Sequence, residues 1–452
     1  MIRDLTVGKP QRVLPLYCLP LLGSILFQQL YNIADSLIAG KCIGEDALAA
    51  VGNSYEITLV FLAFAMGCNI GCSVVIARLF GGKRFGDVRT AVHTSLLGSS
   101  ALCGLLMLLG LLFSVPLLRM LNTPDNVFAD SALYLNIYIY GLPFVFLYNV
   151  ATGIFTALGD SRTPFLFLAC SSTANIGMDF LFVSVFRMGV AGLAWATFLC
   201  QGISCVLAVF FLLFRLRKLP EEESRIFSFS LLGEIGKIAV PSILQQCSIS
   251  VGNVLIQRVI NGFASGVMAG YSAAIKLNNL FITSANAFAT AGSNFTAQNV
   301  GAGKPERVRA GYFTALELIS VFSLSVAAVY LIKADSLVRF FIRDPSADAV
   351  ASGTAFLYIV APFYVMIAAK LAADGVLRGT GRMKQFLLAT FTDLVIRVIL
   401  SYLFSGPFGY AGIWASWPIG WFIAFLMATF FCVRCKEMKK RTPQTAAETK
   451  EL

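Results

Sequence analysis

Long apolar runs separated by short polar turns repeat along this chain from its first dozen residues to its last twenty. A run of ~20 or more apolar residues is long enough to cross the hydrocarbon core of a bilayer as a helix. Twelve such runs are legible, at 13–38, 53–77, 91–116, 130–153, 164–186, 190–214, 234–257, 267–291, 310–332, 350–376, 385–405 and 410–433. Several exceed the minimum, which permits tilt without fixing an angle. Prolines inside them (Pro20, Pro143, Pro241, Pro362, Pro418) are expected to bend or break helices, which a bundle tolerates when neighbours satisfy the freed carbonyls. The pattern predicts an all-α polytopic membrane protein with twelve transmembrane helices.

The runs fall into two halves that read alike at a spacing of about 220 residues. Pro20-Leu21-Leu22-Gly23 with Gln28-Gln29 and Asn32 matches Pro241-Ser242-Ile243-Leu244 with Gln245-Gln246 and Asn253. Ala77 to Arg89 (ARLFGGKRFGDVR) pairs with Ala297 to Arg309 (AQNVGAGKPERVR). Gly159-Asp160-Ser161-Arg162 pairs with Gly379-Thr380-Gly381-Arg382, and Gly189-Val190-Ala191-Gly192 with Gly409-Tyr410-Ala411-Gly412. Six helices per half bring both repeats in from the same side, so their axis of symmetry is expected to lie along the membrane normal, an arrangement shared by many secondary transporters. The expected organisation is a cytoplasmic lead over 1–12, a six-helix bundle over 13–214, a polar cytoplasmic linker over 215–230, a second six-helix bundle over 231–434 and a disordered cytoplasmic tail over 435–452.

Composition sharpens this. Of 452 residues 57% are hydrophobic and only 13% charged, against roughly 25% charged in soluble domains. The first run keeps Gln28, Gln29, Asn32 and Asp35 and lacks a small-residue cleavage site, so it reads as a retained helix rather than a signal peptide. Most of the 35 Lys and Arg lie at the N-terminus, in the even-to-odd connections and in the tail, which by the positive-inside rule puts both termini in the cytoplasm. A plasma (inner) membrane location is expected. The net charge of +11 is explained by basic loops beside anionic lipid and calls for no nucleic acid.

Catalytic patterns are missing from the sequence. The single histidine, His93, sits among small and apolar residues, and the eleven cysteines read as small buried apolar residues rather than metal ligands. No G-x-x-x-x-G-K-[ST] occurs, so the chain carries no nucleotide site of that kind and no enzyme is expected. No cofactor is expected either. Uphill transport must then draw on an ion gradient.

A charge at the centre of a membrane helix costs at least ~2.5–3.5 kcal/mol, so each intramembrane ionisable group needs a reason. The first half has Asp35 and Asp179. Gln28 and Tyr31 share a helical stripe with Asp35, and Asn175 stands one turn before Asp179. Thr197 follows the Gly189–Gly192 hairpin and can return towards Asp179. Together these offer oxygen and amide groups around two carboxyls that cannot both stay ionised cheaply in a dry pocket. Such a set takes a proton, or Na+ as the one metal ion, with Na+ and H+ equally suited. The second half has Lys370/Asp374 and Asp393/Arg397, each spaced i, i+4 as in a structural ion pair, with Lys276 and Glu317 on other helices. The alternative for Lys276, Lys370, Asp374, Asp393 and Arg397 is a polar network that contacts substrate or relays protons.

These residues resemble the multidrug and toxic compound extrusion (MATE) family of bacterial type over essentially the whole chain. The opening LPLLGSILFQQLYNIADSLIAGKCIGEDALAAVG is similar to the family's first helix and loop; AQNVGAGKPERVR, VLRGTGRMK and MGVAGLAWAT are similar to later loops and a hairpin. The resemblance implies a V-shaped pair of bundles acting as an antiporter, exporting cationic, amphipathic drugs, toxins or metabolites in exchange for Na+ or H+ by alternating access. It implies a cation site at Asp35, Asn175, Asp179 and Thr197, with Gln28 and Tyr31 as polar neighbours and Pro20 at a bend of the first helix. Some branches place acids in helices 7 and 10. Here Glu234 is at the cytoplasmic end of helix 7 and Asp374 has Lys370 beside it, which favours the N-terminal site. A flippase for a lipid-linked saccharide or similar amphiphile is the alternative. A monomer embedded in membrane lipid, with no nucleic acid or nucleotide partner, is expected.

Overall fold

The structure, a computed structural model, describes residues 3–120, 123–342 and 346–438. Most of the expected tail lies outside these residues. Among the described residues every regular element is helical. The helices are α1 (Pro10–Ile38), α2 (Glu45–Gly81), α3 (Phe85–Met120), α4 (Asp125–Ala157), α5 (Arg162–Phe180), α6 (Gly189–Leu216), α7 (Phe229–Ile260), α8 (Ser265–Gly301), α9 (Pro305–Ile332), α10 (Ala334–Phe341), α11 (Ala347–Val360), α12 (Tyr364–Gly379) and α13 (Met383–Val433).

These account for the twelve expected spans, with three differences. The short α10 is additional. The tenth span is divided into α11 and α12 by one 3₁₀ turn at Ala361–Phe363, where Pro362 removes a backbone donor. The last two spans run together as α13, whose 51 residues would reach ~77 Å as one helix, far beyond the ~30 Å core. Gly409 resolves this: at φ 58°, ψ −147° it leaves helical geometry and turns the chain back. Its counterpart Gly189 has φ 60° at the α5–α6 turn, so the repeat preserves a backbone shape that suits glycine. Helices α1, α4, α7 and α13 continue through Pro20, Pro143, Pro241 and Pro418, so only Pro362 marks a break. At Pro20 the Ser24 hydroxyl donates to the Pro20 carbonyl (3.0 Å). Helix α8 is long but carries many Ser, Asn and Thr, and it falls outside the ten helices whose apolarity alone marks them as spans.

The chain divides into two compact units. One comprises Tyr17–Cys247 with the residues before Leu5; the other comprises Leu5–Leu16 and Ser248 onwards. In the first, the expected linker is docked rather than loose. Gly86 N donates to Glu222 (2.6 Å), Arg89 to the Leu219 carbonyl (2.8 Å), Arg225 N to Thr90 (2.9 Å) and Ser228 N to Thr94 (3.0 Å). In the second, the lead is held by the other copy of the same loop motif. Leu5 N donates to Gln298 (2.9 Å), Lys304 to the Thr6 carbonyl (3.0 Å), and Arg307 to the carbonyls of Gly8 (2.6 Å) and Leu5 (3.1 Å). Each repeated motif thus clamps the segment leading into the first helix of a half.

Candidate functional site

In the first unit α1 and α5 both widen at their ends into a single π-helical turn, Ala39–Ile43 and Leu181–Val185. Such turns recur at functional sites because they re-aim side chains near them. Asp35 stands one turn before the first and Asp179 two residues before the second, and the two π turns touch each other. Gly189 reverses the chain after α5, and Gly192 lets α6 approach the backbone of Phe182, so that Thr197 lies beside Asn175.

The carboxyls of Asp35 and Asp179 are in hydrogen-bond contact. The Tyr31 hydroxyl donates to Asp35 and lies 3.4 Å from the Thr197 hydroxyl. In the amide orientation that satisfies its neighbours, Asn175 donates to Asp179 Oδ2 (3.0 Å) and accepts from the Thr197 backbone N–H (3.3 Å). Asp179 is 0% exposed, and its Oδ1 has no protein donor. No basic side chain among the described residues acts on either acid. An apolar cluster of Ala39, Val183 and Leu193, with Ile38, Ile43, Val51 and Tyr134 against it, packs beside this site and keeps that flank dry.

The arrangement therefore has acceptors facing each other with a donor missing between them. Carboxylates accept only, so two of them meet favourably only across a proton or a cation. The donor set is oxygen and amide throughout, which suits H+ or a hard monovalent ion. The structure brings together Asp35, Tyr31, Asn175, Asp179 and Thr197. Gln28 is half-buried two turns away and makes no hydrogen bond to the acids, and Pro20 lies further down α1. Cys200, expected only as a filler of the core, contacts Asn175 and lies near both acids.

The second unit holds a different cluster. Lys370 and Asp374 form a buried ion pair at 2.6 Å, and Lys370 also donates to Thr390 (3.2 Å). Asp393 and Arg397 do not close into the expected ion pair. The Arg397 guanidinium lies 4.3 Å from the centroid of the Trp417 ring instead, and Asp393 is pressed against Gly420. Arg378, expected in a cytoplasmic loop, is buried in α12 and acts on Asp374; both it and Lys370 approach the Phe386 ring. Its place was legible as i+4 from Asp374 and i+8 from Lys370, on one stripe. Lys276 is exposed and faces the Phe341 ring at 5.9 Å, apart from this cluster.

With this geometry in place, similarity to known proteins is informative. The sequence profile of the MatE family matches the chain twice, over residues 20–181 and 241–403. "Probable multidrug resistance protein YpnP" of Bacillus subtilis is 31% identical over 91% of this chain and 92% of its own. The "FAD transporter" of Shewanella oneidensis is 24% identical over 96% of this chain and 97% of its own. A solved MOP superfamily transporter from Pyrococcus furiosus, described by a binding pocket of reverse polarity that suggests a different function, superposes with a TM-score of 0.90. It has 24% identity, with 97% of this chain and 98% of that one covered. At that identity the likeness is one of fold.

Proposed function

The chain belongs to the MatE family of membrane transporters, and on that premise we propose that it exports amphipathic organic compounds by antiport against Na+ or H+. The observation that carries the proposal is the Asp35–Asp179 contact with its orphaned acceptor and no counter-charge among the described residues. Filled by a proton or Na+, this site is neutral enough to stay buried; emptied, it favours whichever conformation readmits water. A ligand with differential affinity for two states shifts their balance, and this is how an ion gradient does work on cargo. A membrane potential adds ~2.3 kcal/mol per charge per 100 mV.

In this reading the protein is a multi-pass plasma-membrane monomer with both termini cytoplasmic, built as two six-helix bundles over 13–214 and 231–434. The relatives named for multidrug resistance support drug-like cargo, and the acidic site of the first unit favours a cationic one. Organic anions are the second reading, favoured by the flavin transporter among the relatives and by the cationic cluster of the second unit. The test is transport of a cationic dye and of a flavin from proteoliposomes, with inward Na+ and pH gradients imposed separately. Antiport requires that one gradient accelerate efflux and that Asp179→Asn abolish the acceleration. Indifference to both gradients would replace antiport with the flippase reading.

A further inference from the structure

We infer that the second unit contains a binding site for a monovalent anionic group at Arg397, walled by Trp417, Trp414 and Tyr271. This goes beyond the transport proposal, which rests on the acid pair of the first unit.

The first support is charge. Arg397, Asp393, Lys370, Asp374 and Arg378 form a row in which the signs alternate, and each acid acts on the basic groups flanking it. Every member is at least nine-tenths buried: 5%, 9%, 3%, 1% and 6% exposed, in that order. Three basic groups against two acids leave one positive charge without a partner inside a membrane protein, where an unpaired charge is strongly disfavoured.

The second support locates the surplus. Lys370 and Asp374 compensate each other at 2.6 Å. The Nε of Arg378 and that of Arg397 are both buried without acceptors, but only at Arg397 does a second unpaired donor, the indole of Trp417, adjoin the guanidinium. The Trp417 ring meets the face of the guanidinium at 4.3 Å from its centroid and offers no acceptor to the Nε–H on its edge.

The third support is the wall. The indole N–H groups of Trp414 and Trp417 are likewise buried without acceptors. Trp414 is stacked on Tyr271 at 5.0 Å, and Tyr271 is within electrostatic reach of Arg397. Guanidinium and indole nitrogens only donate, and three such unpaired donors stand against a single unpaired acceptor, Asp393 Oδ1, so this corner is short of acceptors. Water would satisfy the donors but not the charge; an anion satisfies both. A halide and the carboxylate of an organic cargo share that chemistry.

Three of the four tryptophans, Trp414, Trp417 and Trp421, are on the returning stretch of α13, which makes emission a local reporter once Trp195→Phe removes the fourth. The experiment titrates that protein, in phosphatidylcholine nanodiscs at constant ionic strength balanced with sulfate, with sodium bromide and separately with sodium acetate. The inference expects a saturable change in emission whose half-saturation rises at least about tenfold in Arg397→Gln, as for the loss of a charge-assisted bond. Saturation by bromide assigns a free halide, and saturation by acetate alone assigns an organic acid group. A linear response to both salts overturns the inference, and so does a saturable one unchanged in Arg397→Gln. Should that variant fail to fold, Arg397→Lys keeps the charge, and an unshifted half-saturation there is equally fatal. The readout is binding alone, so it is independent of whether Asp35 and Asp179 couple transport.

Discussion

The two units repeat the same turns but not the same electrostatics. In the first, Asp35 and Asp179 meet without any basic partner among the described residues, tied to neutral donors on Tyr31 and Asn175. In the second, acids are interleaved with Lys370, Arg378 and Arg397, and one ion pair is closed at 2.6 Å. Duplication has kept what the bilayer and the backbone demand, such as the positive-φ glycines Gly189 and Gly409. The buried charged side chains differ between the two copies. On the proposed coupling, a site that changes its charge state cannot carry a permanent counter-ion, whereas a closed pair such as Lys370–Asp374 keeps one.

The contrast is sharpest in stability. Lys370→Met removes the one closed partner of Asp374, leaving only the less direct attraction of Arg378, and should destabilise the protein by about 3–5 kcal/mol. Chemical unfolding in detergent measures this, and adding Asp374→Leu should recover most of the loss. Asp35→Asn replaces one neutral hydrogen-bonded contact by another and strands no buried charge, so the same measurement should show a loss of less than about 1.5 kcal/mol; destabilisation on the scale of Lys370→Met would erase the distinction between the units. Next in size, Tyr31→Phe deletes a hydrogen bond to a carboxyl, worth about 1.5–3 kcal/mol. Because the lost donor favoured the charged carboxylate, the acid then holds its proton or cation more tightly, and the coupling-ion concentration for half-maximal transport should fall roughly tenfold or more, while a cation-independent binding assay for cargo stays unchanged. Gly189→Ala and Gly409→Ala each force a side chain into left-handed backbone and should cost about 1–2 kcal/mol apiece, alike in both units by thermal melting. Smallest is Asp87→Asn, which removes a solvent-exposed ion pair with Arg84 (2.7 Å) and should move stability by less than about 1 kcal/mol.

Much of this architecture was legible because the bilayer writes it into composition. Spans, repeat and the acid pair follow from run length, spacing and helical phase, since Asn175 and Asp179 are one turn apart in any helix. What sequence could not show depends on competition between partners. Arg397 has an acid at i−4, and spacing alone pairs them; the Trp417 face, distant in sequence, takes the guanidinium instead. Arg378 adjoins a cytoplasmic turn and reads as a loop cation until its burial in α12 is seen. The docking of the lead and the linker uses mainly backbone groups, including the carbonyls of Leu5, Thr6, Gly8 and Leu219, which leave no trace in residue identity. The π turns beside Asp35 and Asp179 are equally silent, because no residue type encodes them.

The central claim is that Asp35 and Asp179 share a single positive charge in the resting protein. Infrared difference spectroscopy of nanodisc samples at neutral pH without Na+, wild type against Asp35→Asn and Asp179→Asn, reads this directly. The account predicts a protonated-carboxyl stretch in the wild type that shifts on deuteration, moves in each variant as the surviving buried acid loses its partner, and is absent when both acids are substituted. Wild-type spectra in which both carboxyls absorb as carboxylates, with no Na+ present and no protonated band altered by either substitution, would contradict it.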